Sequence, residues 1–148
     1  MWGALAKEML PWLPSLLTLA GWFLVNHQNN TRERRKDARS AADKCKALAR
    51  EAAQLGIDYW GGGDQVAWKV KAALEELEVE IRRFPAHKGR EQLTDALADF
   101  VDAVATGDDF DTTHRAPKPP DGLVMRDLAR TRQAFLHVVE AQFEKYFH

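Results

Sequence analysis

Residues 9–25 read MLPWLPSLLTLAGWFLV, seventeen consecutive positions without a charged side chain. As a helix rising 1.5 Å per residue, this segment would extend about 25 Å, close to the shortest length that crosses a bilayer. Trp12 and Trp22 lie near its two ends, where amphipathic indole rings favour the membrane interface. We therefore predict a transmembrane anchor over residues 9–26, preceded by a short extracytoplasmic tail at residues 1–8.

Three other interpretations of the apolar segment stay open. A helix buried in a protein core can be equally apolar. A cleavable signal peptide is suggested by Thr18-Leu19-Ala20 but disfavoured because Lys7 is the only basic residue before the segment. A helix lying in the membrane plane is disfavoured because no polar face interrupts Leu16–Val25.

Charge is segregated along the rest of the chain. Residues 32–50 carry eight bases and three acids, a net of +5, whereas residues 51–148 carry twelve bases and eighteen acids, a net of −6. Basic residues next to a span stay cytoplasmic, so we predict an outward N-terminus and a cytoplasmic body. The same bases can contact anionic lipid headgroups. Nucleic-acid binding is disfavoured because no aromatic residues interleave with them. The five bases nearest the segment are Arg32, Arg34, Arg35, Lys36 and Arg39.

The remaining chain is predicted to be helical because its apolar residues recur at spacings of three and four. Glycine and proline residues separate the periodic stretches, with breaks expected at Gly56, at Gly61–Gly63 and at Pro85. The fold class is therefore all-α: an N-terminal transmembrane helix followed by a cytoplasmic antiparallel helical bundle. The predicted bundle helices cover about residues 32–55, 64–84, 89–105 and 121–147; the first belongs to a basic juxtamembrane region, 27–55, and the other three to residues 64–148.

Three side chains are candidate contacts for a protein partner. Trp68 and Val79 lie off the main apolar seam of their helix and eleven residues apart, hence on one second face. Such a face indicates either an interaction site or packing against a third helix. Phe110 lies in the loop 107–122, whose acids and prolines oppose a helix. It either docks into the bundle or contacts a partner; a cation site is the third option, although the spacing does not match an EF-hand loop.

Signatures of catalysis and of metal binding are missing from the sequence. The closest approach to a metal site is His137 with Glu140 and Glu144, which occurs only once, whereas a di-iron bundle needs two such sets. Cys45 lies on an alanine-rich stripe and is expected to be a buried apolar residue, with a redox role as the alternative. Gly61–Gly63 lacks the Gly-Lys-Ser/Thr of a phosphate loop. We therefore predict that the protein has no enzymatic activity and binds no metal and no cofactor. The sequence identifies no small-molecule substrate.

The junction GWFLVNHQNNTRERRK, residues 21–36, resembles small uncharacterised bacterial single-pass inner-membrane proteins. In those proteins a span ending in Gly-Trp precedes an Asn/Gln patch and an Arg-Glu-x-Arg-Lys collar, and Asp109–Thr112 resembles their later loop. The resemblance implies an inner-membrane helical protein of bacterial or mobile-element origin, and it carries no activity and no catalytic residue.

Two functions follow as expectations. The first is a membrane-tethered helical protein-interaction module, which contacts membrane lipid and binds a protein partner or a second copy of itself. The alternative is a small pore-forming or depolarising effector of a phage- or defence-related system. Neither involves nucleic acid.

Overall fold

The computed structural model describes residues 13–64, 66–85, 89–105, 110–111 and 116–146. These residues form four helices and no strand, which confirms the predicted all-α class. The chain divides into two compact units, Met1–Asp37 and Ala38–His148, and each is described by itself. The helices are α1 (Leu13–Trp60), α2 (Ala67–Arg83), α3 (Arg90–Val104) and α4 (Leu123–Tyr146).

The first unit contributes the beginning of α1, and its side chains are exposed from Pro14 to Asp37. Within the part of the chain described, no helix combines the length and apolar character needed to cross a membrane. The physical reason is that six polar residues, 26–31, follow only thirteen described residues of the apolar segment. The transmembrane helix predicted over residues 9–26 is therefore not found here. Its first residues, including Trp12, and the predicted tail lie outside the described residues.

In the second unit, α1 packs through a stripe of small side chains, which lets neighbouring helices approach its backbone closely. The predicted helix break at Gly56 is wrong, because α1 continues to Trp60. A Cβ atom at Gly56 would lie 3.1 Å from methyl groups of Val104 and Leu128, so glycine serves close packing here. The buried stripe consists of Ala38, Ala42, Cys45, Ala49, Ala52 and Ala53.

A glycine turn ends α1. The Gly61 and Gly63 amides donate to the carbonyl groups of Ile57 and Asp58, at 2.8 and 2.9 Å, which satisfies carbonyls at the helix end. Gly62 adopts a φ of 87°, a conformation that glycine reaches without steric cost. The turn lies where the three glycines predict it. Helix α2 begins later than the predicted residue 64: its N-cap is Val66, which makes no side-chain capping bond.

Helices α3 and α4 pack antiparallel. The rings of Phe100 and Phe135 stack with centroids 5.9 Å apart and an interplanar angle of 17°. Gln142 donates an amide hydrogen bond to Gln92 at 3.1 Å. The earlier residue of α3 thus meets the later residue of α4, which requires opposite directions. The bundle core formed here is continuous with the stripe on α1.

Helix α1 runs antiparallel to both α2 and α4. Lys44, sixteen residues before the end of α1, bonds at 2.8 Å to Glu80 near the end of α2. Along α4, Lys46 contacts Glu140, whereas Gly56 lies against Leu128. The residue order is reversed along α4. For α2, residues 61–66 connect the end of α1 to the start of α2, so a contact far from that connection on both helices requires opposite directions. The described residues of the second unit therefore form a helical bundle, which is the coarse architecture predicted from the sequence.

Candidate functional site

The first candidate surface is the apolar part of α1. Seven large apolar side chains there are between 56% and 67% exposed. At 100° per residue they are distributed around the whole circumference of the helix and do not form one stripe. Trp22, one of the two predicted interface anchors, packs edge-on against Phe23 with centroids 5.5 Å apart. A helix that is apolar on every side is suited to an apolar surrounding. The seven are Leu16, Leu17, Leu19, Trp22, Phe23, Leu24 and Val25.

The five predicted headgroup-binding bases fall into two groups. Arg32, Arg34, Arg35 and Lys36 are exposed on the first unit. Arg39 belongs to the second unit, which contains the bundle.

Arg39 is engaged by other bundle residues. Its guanidinium bonds to Glu140, forms an ion pair with Asp43 at 3.4 Å, and lies 5.0 Å from the centroid of the Phe143 ring. Because two carboxylates offset its charge, Arg39 is a weaker candidate for lipid contact than its position in the sequence suggests.

Glu140 is the centre of this ion-pair network. Lys46, whose side chain is only 13% exposed, bonds to Glu140 at 2.7 Å and to Asp43 at 2.9 Å. Hydrogen bonds from Lys46 and Arg39 lower the pKa of Glu140 below its ordinary value. The hydrogen bond from Lys46 likewise lowers the pKa of Asp43. Both carboxylates are therefore ionised at neutral pH, and the positive charges of Lys46 and Arg39 offset their negative charges.

The second candidate surface is the outer face of α2. Trp68 is 65% exposed and Val79 is 43% exposed. Among the residues that the structure describes, no third helix covers Trp68, which was one of the two predicted options. Glu75 and Glu76 are exposed on the same side of the helix. The face thus combines two apolar side chains with charges of both signs, since three exposed basic residues of α2 lie on the same side: Lys71, Arg82 and Arg83.

Phe110, the third predicted contact, packs into the bundle. Its ring centroid lies 5.1 Å from that of Tyr59 and 6.0 Å from that of Trp60, and the Lys71 ammonium lies 5.7 Å from it. The Asp111 amide donates to the Tyr59 hydroxyl at 3.2 Å, and Lys71 forms an ion pair with Asp111. These contacts correspond to the first predicted alternative, in which Phe110 docks into the bundle. A partner role for the Phe110 ring stays a prediction.

The end of α1 therefore holds an aromatic cluster that sequence reasoning missed. Besides Phe110, it contains Tyr59 and Trp60, which are only 1% exposed. The Trp60 indole N–H donates to the buried carbonyl of Val104 at 2.8 Å. The available signal was an aromatic pair placed directly before three glycines.

No group of three potential ligands that could hold a metal ion occurs among the residues that the structure describes. Glu140, which the sequence places near His137, is engaged with Lys46 and Arg39 instead. The loop residues 106–109 and 112–115 lie outside the described part, as do His87 and His148.

Cys45 is fully buried, and burial raises the pKa of its thiol to about 11. The thiolate is the reactive form, so at pH 8 Cys45 should react with iodoacetamide at least about a hundredfold more slowly than in the urea-unfolded chain. Mass spectrometry of quenched samples measures the rate. The matched control is Cys45→Ala with Ala47→Cys, which moves the thiol to an exposed position of the same helix and should restore fast labelling. Equal rates for both proteins would show that Cys45 is accessible.

The chain matches no protein-family model, no curated protein sequence and no solved structure.

Proposed function

We propose that this chain is a membrane-anchored helical interaction module, with residues 9–25 as the anchor and the bundle as the part that binds protein. The observation that carries the proposal is the set of seven exposed apolar side chains on all sides of α1. A groove on another protein would cover one face of a helix, whereas lipid covers every face. Burying seven large apolar side chains stabilises association by on the order of 10 kcal/mol.

The length of the anchor is short but sufficient. Seventeen residues in a helical conformation would rise about 25 Å, compared with about 30 Å of hydrocarbon. The polar residues 26–31 would then enter the headgroup region, which tolerates a short span through local thinning. This accounts for an anchor whose described residues do not by themselves reach the length of a span.

The proposed orientation depends on the charges that follow the anchor. Arg32, Arg34, Arg35 and Lys36 all lie within eleven residues of Val25, and one lysine precedes the anchor. This asymmetry favours an outward N-terminus, and so a bundle on the cytoplasmic side of a bacterial inner membrane. Fusion of a fluorescent protein or of alkaline phosphatase to the C-terminus reports the side: only the fluorescent fusion should be active.

The proposed docking surface for a protein is the α2 face formed by Trp68 and Val79, flanked by Glu75 and Glu76. Exposed tryptophan is typical of residues that dominate binding energy at interfaces. The exposed apolar side chains of this face favour a partner segment that presents an apolar side chain to them. The proposal involves no catalytic step.

Membrane association is tested by flotation of the full chain with phosphatidylcholine vesicles in a density gradient, followed by washing in alkaline carbonate. An anchored chain floats with the vesicles and resists the wash. A chain that stays at the bottom of the gradient, or that the wash removes, contradicts the anchor. Neutral vesicles are chosen so that binding by the basic residues alone cannot produce the expected result.

A further inference from the structure

An open groove of about 510 Å³ lies between helices α1 and α4 of the bundle. The proposed function assigns no role to it. Lys46 and Arg50 line it from α1, and Arg132, His137 and Glu140 line it from α4. Three permanent cations thus share the groove with one carboxylate. All of these residues belong to the second compact unit.

The acidic member of this group is already neutralised. Glu140 accepts hydrogen bonds from Lys46 and from Arg39, so its negative charge is matched on both oxygens. Glu140 therefore offers little repulsion to an anion and no second acceptor to the remaining cations.

The guanidinium groups of Arg50 and Arg132 are the two cations in the groove that do not contact Glu140. Within the part of the chain described, neither Arg50 nor Arg132 forms an ion pair or a side-chain hydrogen bond. The Nε of Arg132 is also buried without any acceptor. Buried donors without partners are rare in native proteins because their desolvation is uncompensated. A ligand that brings acceptor oxygens would relieve this deficit after a small rotation of the side chain.

We propose that this groove binds a phosphate group, held between Arg50 and Arg132 with a ring N–H of His137 as a further donor. The planar guanidinium presents parallel N–H groups whose spacing matches two oxygens of a phosphate. Two uncompensated positive charges correspond to the charge of a phosphate dianion. The phosphate can belong to a soluble phosphate compound or to a lipid headgroup, which share this chemistry.

The soluble source is tested by calorimetric titration of the full chain in a neutral detergent with inorganic pyrophosphate. Arg50→Gln and Arg132→Gln should each weaken binding by about tenfold or more, because each removes a charge-assisted contact. Arg126→Gln is the matched control: it removes one positive charge from an exposed position of α4 outside the groove and should change affinity less than about twofold.

The lipid source is tested by comparing vesicles with and without phosphatidylglycerol. Tighter association with the anionic vesicles that Arg50→Gln and Arg132→Gln abolish, and Arg126→Gln retains, assigns the groove to headgroups. Loss of pyrophosphate binding in the same two variants assigns it to soluble phosphate. Circular dichroism verifies folding; if Arg132→Gln unfolds, the exposed Arg50→Gln carries the test alone.

The proposal is overturned if neither probe binds saturably, or if all three arginine variants weaken binding equally, which would mean a diffuse charge effect. The pyrophosphate titration uses micelles without anionic lipid, so it is independent of the membrane anchor. Failure in that titration and failure in vesicle flotation are therefore separate results.

Discussion

Replacing Leu17 by lysine should reduce partitioning of the full chain into phosphatidylcholine vesicles by roughly a hundredfold to a thousandfold. Leu17 is the central residue of the segment 9–25 and is 66% exposed. At the centre of a span, lysine costs about 3 kcal/mol whereas leucine is favourable by about 0.5 kcal/mol. The difference, about 3.5 kcal/mol, corresponds to the predicted loss. Flotation of the variant beside the unmodified chain measures it.

Leu123→Lys is the matched control, because Leu123 at the start of α4 is 84% exposed and lies outside the segment. The same chemical change there should leave flotation unaltered. Leu16→Lys and Leu19→Lys test whether all sides of the helix face lipid. In a lipid environment a lysine on any side reduces vesicle binding, so both variants should behave like Leu17→Lys. Sensitivity confined to one face would instead indicate that a protein groove covers the helix, and the anchor would be rejected.

Helices were predictable from the sequence because bundle packing repeats every three to four residues. Predicted bounds for the third helix, residues 89–105, differ by one residue at each end from Arg90–Val104. The error at Gly56 has a tertiary cause. Glycine lowers helix propensity, but here it admits Val104 and Leu128, which come 48 and 72 residues later in the chain. No local rule contains that information.

The candidate sites were less predictable because charge partners are distant in sequence. Arg39 follows Lys36 by three residues and looks like one more basic residue of the same stretch. Its partner, Glu140, is 101 residues away. The leftover guanidinium groups of Arg50 and Arg132 become visible only after such pairs are assigned. The apolar segment, by contrast, was recognisable because its character depends on consecutive residues alone.

Trp60→Ala should destabilise the bundle by about 3–5 kcal/mol, the range found when a large buried aromatic is truncated. Trp60 is 1% exposed and contacts both Tyr59 and Phe110. Its removal leaves a cavity between the end of α1 and the loop, and it leaves the Val104 carbonyl without its donor. Thermal unfolding followed by circular dichroism in neutral detergent should show a Tm roughly 10–20 °C lower.

Two further variants separate the causes of this loss. Trp60→Phe retains most of the apolar volume but not the indole N–H, so it should cost about 1–3 kcal/mol, the penalty for a buried carbonyl left unsatisfied. Trp68→Ala removes the same side chain from a position that is 65% exposed, and should change stability by no more than about 0.5 kcal/mol. If Trp68→Ala destabilises as much as Trp60→Ala, Trp68 is a core residue, and the α2 face proposed for protein docking is covered within the chain itself.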